Sequence, residues 1–230
     1  MYTTVTNPMK SEADKMINST SMDPLTTNVA ALFIESARYY LATVYWTKLR
    51  CSVEALPREV LWLRANEQSN SVANLVLHLE GNIRHWILCG VGGAPSLPDR
   101  ASEFLARNGP DADELLAKFE GTLAEVDQFL GRLTAADLIE ARFIQGREVT
   151  VLEAVFHVVE HFSFHLGQIV MMAKIHAPGA IRFYADDGAF VRPLEELGTT
   201  SVRRSKRFQV MRLRVGAWTS SVLTGSMTGR

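Results

Sequence analysis

Hydrophobic residues recur at intervals of three and four along four stretches of this chain, which is the period of an amphipathic α-helix. The pattern predicts a first helix that ends near Val53 and a second that begins after Asn70-Ser71. A third helix is predicted to begin near Asp111 and a fourth after Thr150. In the second helix the apolar stripe consists of Val72, Leu75, Leu79, Ile83 and Trp86.

Polar and helix-breaking residues mark the ends of these stretches. Asp23-Pro24 offers an N-cap followed by proline at a position where the first helical turn accepts it. Thr150 and Glu153 have the spacing of a capping box at the start of the fourth helix. Gly131 and Ala177-Pro178-Gly179 are expected to end the third and fourth helices.

Four long helices with few strand signals indicate an all-α fold, a four-helix bundle. We predict that this bundle occupies residues 23–184. The loop between Gly90 and Pro110 is longer than most helix connections, and its length allows at least one crossover connection. Loops of this kind often carry functional residues.

Both ends of the chain depart from the helical pattern. Residues 1–22 are rich in Ser, Thr, Asn and Met without a period, and we expect them to be disordered. Residues 185–230 are predicted to form a basic, mobile tail. Contact of this tail with phosphate or a membrane surface is the functional alternative. Residues 198–230 of the tail contain no acid. Their basic residues are Arg203, Arg204, Lys206, Arg207, Arg212, Arg214 and Arg230.

Charge and cysteine content narrow the class of protein. The formal net charge is -1 although the tail is basic, so the bundle is acidic, which argues against a nucleic-acid partner. Cys51 and Cys89 show no Cys-x-x-Cys spacing and are too few for a disulfide framework. No apolar run approaches the roughly 20 residues of a membrane span, and residues 1–22 lack the apolar core of a signal peptide. We therefore expect a cytoplasmic protein without a membrane span.

Half of the histidines lie in the fourth helix at steps of four residues, namely His157, His161 and His165. Such steps place them in one stripe, each about 6 Å above the last. Neighbours in the stripe can share a metal ion, but the outer pair lie about 12 Å apart along the axis, too far for bonds of about 2.0–2.1 Å. A third ligand must therefore come from another helix, and the candidate is His78, beside the apolar stripe of the second helix.

Other metal motifs use the same residue types. His157 to His161 fits the H-x-x-E-H pattern of inverted zinc peptidases, in which Glu160 would act as the base. Those enzymes use a much larger α/β framework and a further carboxylate, so we do not favour this interpretation. A carboxylate-bridged di-iron bundle needs Glu-x-x-His pairs, which the fourth helix lacks, and a zinc deaminase needs a Pro-Cys-x-x-Cys motif, which the chain lacks.

Two segments closely resemble the DinB-like superfamily: residues 70–87, NSVANLVLHLEGNIRHWI, and residues 161–169, HFSFHLGQI. More narrowly, the chain is similar to a bacterial subfamily of that group with no assigned activity. The resemblance extends over residues 56–64 and 90–104 and ends near Tyr184, so it covers about two thirds of the chain. It does not extend to the tail.

The resemblance implies a four-helix bundle, often a homodimer, with a divalent metal held by one histidine of the second helix and a His-x-x-x-His pair of the fourth. In this sequence those residues are His78, His161 and His165. Neutral imidazoles suit zinc or nickel, and three protein ligands leave one position open for water or substrate. We expect His157 to support the site or the core rather than to bind the metal.

Characterised relatives in the superfamily include metal-dependent thiol transferases that use bacillithiol or mycothiol, and a maleylpyruvate isomerase that uses mycothiol. The resemblance therefore implies a metal-dependent transferase that activates a small thiol for attack on a small electrophile. The alternative is a non-catalytic metal-binding or dimerising interaction protein, which needs the same three histidines. Glu160 and Gln168 are candidates to orient the histidine rings, and no residue is assigned a catalytic role.

Overall fold

The computed structural model describes residues 23–95, 100–185 and 188 of the chain. The predictions for residues 1–22 and for nearly all of residues 185–230 lie outside this part. In chain order the elements are α1 (α-helical over Pro24–Tyr39 and Trp46–Glu54, π-helical over Tyr40–Tyr45), a 3-10 turn (Arg58–Val60), α2 (α-helical over Val72–Ile83, π-helical over Arg84–Val91), α3 (Arg100–Leu105), α4 (Ala112–Leu130), α5 (Ala135–Leu138), β1 (Ala141–Ile144), β2 (Arg147–Thr150) and α6 (Val151–His176).

The long helices begin where the sequence predicts. The Asp23 carboxylate accepts hydrogen bonds from the first backbone N–H groups of α1. Ser71 and Asn74 form a capping box at the start of α2, and Thr150 and Glu153 form another at the start of α6. These side chains satisfy N–H groups that have no partner within the helix, so each boundary is encoded by residues next to it.

The four long helices form the bundle that the sequence predicts. Among the described residues, α1 packs against α4 and α6, and α2 packs against the same two helices. The pairs α1 with α2 and α4 with α6 therefore lie on the diagonals of the bundle. Consequently the connections over residues 55–71 and 131–150 both cross an end of the bundle, which confirms the prediction of at least one crossover. The loop between Gly90 and Pro110, to which the sequence assigns it, instead joins the neighbouring helices α2 and α4.

Aromatic rings hold the middle of the bundle together. Phe119 of α4 stacks on Trp46 of α1 with ring centroids 5.6 Å apart, and lies 5.4 Å from the ring of Phe162 of α6. Both phenylalanines are fully buried. Burial of such a side chain contributes about 1.5–3 kcal/mol. This cluster fixes α6, and with it the histidine stripe, against the other helices.

Helix α4 combines a buried apolar face with an exposed polar face. In α4, Phe119 and Val126 are buried while Lys118 and Glu125 are exposed. No helix within the described ranges has the length and apolar character needed to cross a bilayer.

The β-hairpin and α3 are absent from the sequence prediction. The hairpin turn is formed by Gln145 and Gly146, both with positive φ angles of 51° and 77°, as a two-residue type I′ turn requires. The hairpin leads directly into α6, and buried Ile144 packs against Gly90 at the end of α2, where a Cβ atom would lie only 2.6 Å from the Ile144 side chain. Helix α3 occupies part of the loop predicted between Gly90 and Pro110.

Candidate metal centre

Helices α2 and α6 bring three histidines together. One ring nitrogen of each of His78, His161 and His165 lies within 4.8 Å of the other two. The Nε2 atoms of His78 and His161 are 2.8 Å apart. Two nitrogens that share a tetrahedral zinc ion lie about 3.3 Å apart. Small side-chain movements therefore suffice for the group to hold one ion.

The antiparallel packing of α2 and α6 explains this placement. The ring of His78 lies 5.0 Å from that of His161 and 5.1 Å from that of His165. Eight residues further along α2, the ring of Trp86 meets that of His157. His78 is only 2% exposed, whereas His161 and His165 are half-buried. The group is therefore closed on the α2 side and more open on the α6 side.

An oxygen atom lies beside Nδ1 of two of the three histidines. Nδ1 of His78 is 3.1 Å from Oε2 of Glu103, and Nδ1 of His165 is 2.9 Å from Oε1 of Gln168. An oxygen acceptor at Nδ1 holds the proton there and leaves the lone pair on Nε2. Both rings are thus supported in the tautomer that presents Nε2 to a metal ion.

One of these two supporting residues was expected from the sequence and one was not. Gln168 contacts His165 as proposed, whereas Glu160 is exposed. Glu103 lies 25 positions from His78 in the sequence. In the sequence, Glu103 is one of two acids in the long loop between Gly90 and Pro110, the other being Asp99. Nothing in the sequence pattern selects Glu103 as the partner of His78.

His157 lies outside the group. Its ring packs on the indole of Trp86 with centroids 4.3 Å apart, and it lies 5.3 Å from the ring of His161. The geometry therefore groups His161 with His165 rather than with His157. It does not favour the pairing of His157 and His161 that an inverted zinc peptidase would use.

A cluster of ion pairs and hydrogen bonds around the buried Glu80 fixes the opposite side of α2. The Glu80 carboxylate lies 2.9 Å from Lys118 Nζ and accepts hydrogen bonds from Thr122 Oγ1 at 2.7 Å and Arg84 Nε at 3.2 Å. Burial raises the pKa of Glu80, but hydrogen bonds and charge interactions with Lys118, Thr122 and Arg84 outweigh it, so the pKa lies below its ordinary value. An ionised Glu80 thus ties α2 to α4 while His78, two residues earlier, faces α6.

The sequence matches a known family over most of the bundle. The model of the family DUF1572, whose description is 'protein of unknown function', matches residues 28–182. The chain belongs to the DUF1572 family. This family is DinB-like, as the resemblance of residues 70–87 and 161–169 predicts, and the matched range includes all three grouped histidines.

A solved structure shows the same fold. The DUF1572 chain is similar to the crystal structure of a DinB-like protein from Bacillus cereus, with 16% sequence identity and a TM-score of 0.50. The similarity covers 64% of this chain and 94% of the other. Comparison with curated proteins finds no match. The relatives therefore establish the fold and the family, and the chemistry of the site depends on its own residues.

The donor set of this DUF1572 chain is suited to a divalent metal. Three imidazoles offer nitrogen ligands without any charge, a combination found with zinc, nickel and copper rather than with magnesium or calcium, which prefer oxygen. Glu103 and Gln168 supply the outer hydrogen bonds that histidine ligands normally make. The residues present therefore fit a metal ion held by two helices.

Proposed function

We propose that this DUF1572 protein binds one divalent metal ion, zinc or nickel, through Nε2 of His78 and ring nitrogens of His161 and His165. The observation that carries the proposal is the convergence of these nitrogens from two helices, with Glu103 and Gln168 beside the Nδ1 atoms of His78 and His165. Three protein ligands leave a coordination position open, which is the arrangement of catalytic rather than structural sites.

We further propose that the centre serves a metal-dependent transferase that uses a low-molecular-weight thiol of the bacillithiol or mycothiol type. A bound zinc or nickel ion lowers the pKa of a thiol, so that a nucleophilic thiolate is available at neutral pH. The half-buried rings of His161 and His165 leave an approach for a small molecule on the α6 side. The transferred group would come from a small electrophile, whose leaving group departs as the new carbon–sulfur bond forms.

Metal content measured by elemental mass spectrometry tests the first proposal. We expect about one zinc or nickel ion per chain in the parent protein after reconstitution, and loss of that ion in single alanine variants of His78, His161 and His165. His157→Ala is the matched control, because it removes a histidine of the same helix that lies outside the group, and it should retain the metal. An essential His157 with a dispensable His165 would instead support the inverted-peptidase pairing.

Cobalt substitution tests whether the centre has an accessible position. Cobalt(II) reports its ligands through visible absorption, and an added thiol that binds it produces a sulfur-to-metal charge-transfer band. We expect that band with small thiols in the parent protein. If saturating metal binds but no thiol alters the spectrum, the transferase proposal is wrong and the metal has a structural role.

The second candidate function is a non-catalytic bundle that forms a homodimer. It is favoured by a row of exposed apolar side chains along α6, an unusual feature for a helix of a monomer. The row consists of Leu152, Phe156, Phe164, Met171 and Ile175. Sedimentation equilibrium tests this proposal: Phe164→Glu should shift a dimer toward monomer, while Phe143→Glu, which alters an even more exposed phenylalanine on the β-hairpin, should not.

A further inference from the structure

Glu103 approaches His78 through a space that only glycine leaves open. Gly81 lies three residues after His78 and so on the same side of α2. A Cβ atom at Gly81 would overlap Oε1 of Glu103 and lie 3.0 Å from its Cδ atom. The carboxylate that contacts His78 therefore rests against the bare backbone of α2.

Helix α3, which carries Glu103, is held in place by hydrogen bonds from residues outside the histidine group. Asn74 Nδ2 donates to the backbone oxygens of Glu103 and Ala106, at 2.8 and 3.0 Å. Arg64 donates to the backbone oxygen of Phe104 at 2.9 Å. These bonds satisfy carbonyl groups at the end of α3, which have no partner within so short a helix.

Helix α3 also covers His78 directly. The Phe104 ring lies 4.6 Å from the His78 ring, and Glu103 and Phe104 together contribute to its near-complete burial. The ring is thus held by its own helix, by a carboxylate and by an aromatic ring of α3. His161 and His165, by contrast, belong to a single long helix whose position is fixed by the core.

We propose that Glu103 is a positioning residue for His78 and that docking of α3 is thermodynamically coupled to metal binding at the histidine group. This inference rests on the proposed metal site. When α3 is docked, Glu103 fixes the His78 ring with Nε2 toward His161; when α3 is displaced, that restraint is lost. Coupling of this kind is reciprocal, so a bound metal stabilises the docked position of α3 to the same extent that docking favours the metal.

Gly81→Ala tests the role of Glu103 without altering any ligand or any hydrogen-bonding group. The added methyl group displaces the flexible carboxylate rather than the backbone, so the bundle should still fold. We expect zinc affinity to fall about 10- to 100-fold, the usual effect of losing an outer partner of a histidine ligand. Gly121→Ala is the matched control, since it adds a methyl group to α4 where nothing beyond the adjacent backbone of the helix lies within 4 Å, and it should leave zinc affinity unchanged.

A double-variant cycle separates this steric effect from a general effect on α2. Glu103→Ala alone should weaken zinc binding to a similar degree, and Glu103→Gln, which keeps an acceptor oxygen, should restore most of the affinity. Adding Gly81→Ala to Glu103→Ala should cost nothing further, because the group it displaces is already gone. If the two losses add, Gly81 acts independently of Glu103 and the proposal is wrong.

Two further measurements distinguish failure of this inference from failure of the metal site. In metal-free protein, nitrogen NMR of the His78 ring should show the Nδ1–H tautomer, and Glu103→Ala should mix the tautomers. On addition of zinc, hydrogen exchange in α3 should slow in the parent protein and not in His165→Ala. Zinc binding with unchanged exchange in α3 overturns the coupling alone, whereas a parent protein that binds neither zinc nor nickel overturns the coupling and the proposed function together.

Discussion

The ring of His157 lies against the indole of Trp86, with centroids 4.3 Å apart, whereas His161, one turn along α6, lies with its Nε2 atom 2.8 Å from that of His78. The histidines of α6 are equally spaced, so the residues opposite them on α2 decide what each one does. An apolar ring opposite His157 gives a packing contact. A histidine opposite His161 gives a pair of metal-ligand nitrogens.

The packing contact predicts that His157 contributes to stability and not to metal binding. Aromatic pairs of this type contribute about 0.5–1.5 kcal/mol beyond their burial. We expect His157→Ala to lower the free energy of unfolding by about 1 kcal/mol in urea titrations of metal-free protein, with metal stoichiometry unchanged. His157→Phe keeps an aromatic ring against Trp86 and should recover most of the loss. An unfolding midpoint that does not change with His157→Ala would contradict the predicted role.

A second prediction concerns the pair that joins α1 to α4. Arg38 makes a bidentate contact with Asp127: Nε donates to Oδ1 at 2.7 Å and Nη2 donates to Oδ2 at 2.8 Å. The hydrogen bond with Asp127 raises the pKa of Arg38, and the pair is only partly exposed to solvent. We expect Asp127→Asn to lower the free energy of unfolding by about 1 kcal/mol, more than the few tenths typical of an exposed helical pair.

The matched control for that pair is Glu54→Gln, because Arg50 and Glu54 form an ion pair of the same 2.7 Å length on a more exposed part of α1. Its removal should change the free energy of unfolding by no more than about 0.5 kcal/mol. Equal losses for the two variants would show that partial burial does not strengthen the pair with Asp127. Added salt should reduce both effects.

A third prediction concerns the pH dependence of the helix that carries the histidines. The Glu153 carboxylate accepts hydrogen bonds from the backbone N–H and the hydroxyl of Thr150, and these lower the pKa of Glu153 below its ordinary value of 4.5. Because the pKa is lower in the folded state than in the unfolded state, this cap stabilises the protein above about pH 4.5. The stabilisation is lost as the pH falls through the pKa of the folded state.

Urea unfolding of metal-free parent and Glu153→Gln across a pH series measures this effect. Glutamine keeps an acceptor oxygen and removes only the charge, so the variant should be less stable than the parent at neutral pH. The difference should shrink toward zero below about pH 4.5. Glu160→Gln removes a charge from the exposed middle of the same helix and controls for a general change in net charge. A difference that persists undiminished at low pH contradicts the assignment.

Local signals made the long helices predictable, because each helix begins at a side chain that caps it, such as Asp23 or Thr150. The partners of the histidines are not local. The choice of His165 over His157 depends on which α2 residue lies opposite, and periodicity alone leaves both open; the resemblance to DinB-like proteins supplied the choice. Glu103 is brought to His78 by the docking of α3, for which the sequence between Gly90 and Pro110 gives no periodic signal.

The hairpin was missed for a different reason, and it yields the last prediction. The central residues of a type I′ turn are usually Asn-Gly or Asp-Gly, but here Gln145 occupies the first central position with a φ of 51°. A left-handed conformation costs an ordinary residue roughly 1 kcal/mol more than it costs asparagine or glycine. Gln145→Asn should therefore raise the free energy of unfolding by about 0.5–1 kcal/mol in thermal or urea unfolding.

Gly146→Ala is the opposite test of the same turn. Its φ of 77° also lies in the left-handed region, so an added Cβ should lower stability although no neighbouring atom lies within 4 Å of the Cβ position. The loss must then come from backbone strain rather than from a clash. The turn sets the register of β1 with β2, and β2 ends at Thr150, the residue that caps α6. Both variants should therefore change the hydrogen-exchange rates of the backbone amides in the hairpin. A neutral result for both would show that the hairpin contributes nothing to the stability of the bundle.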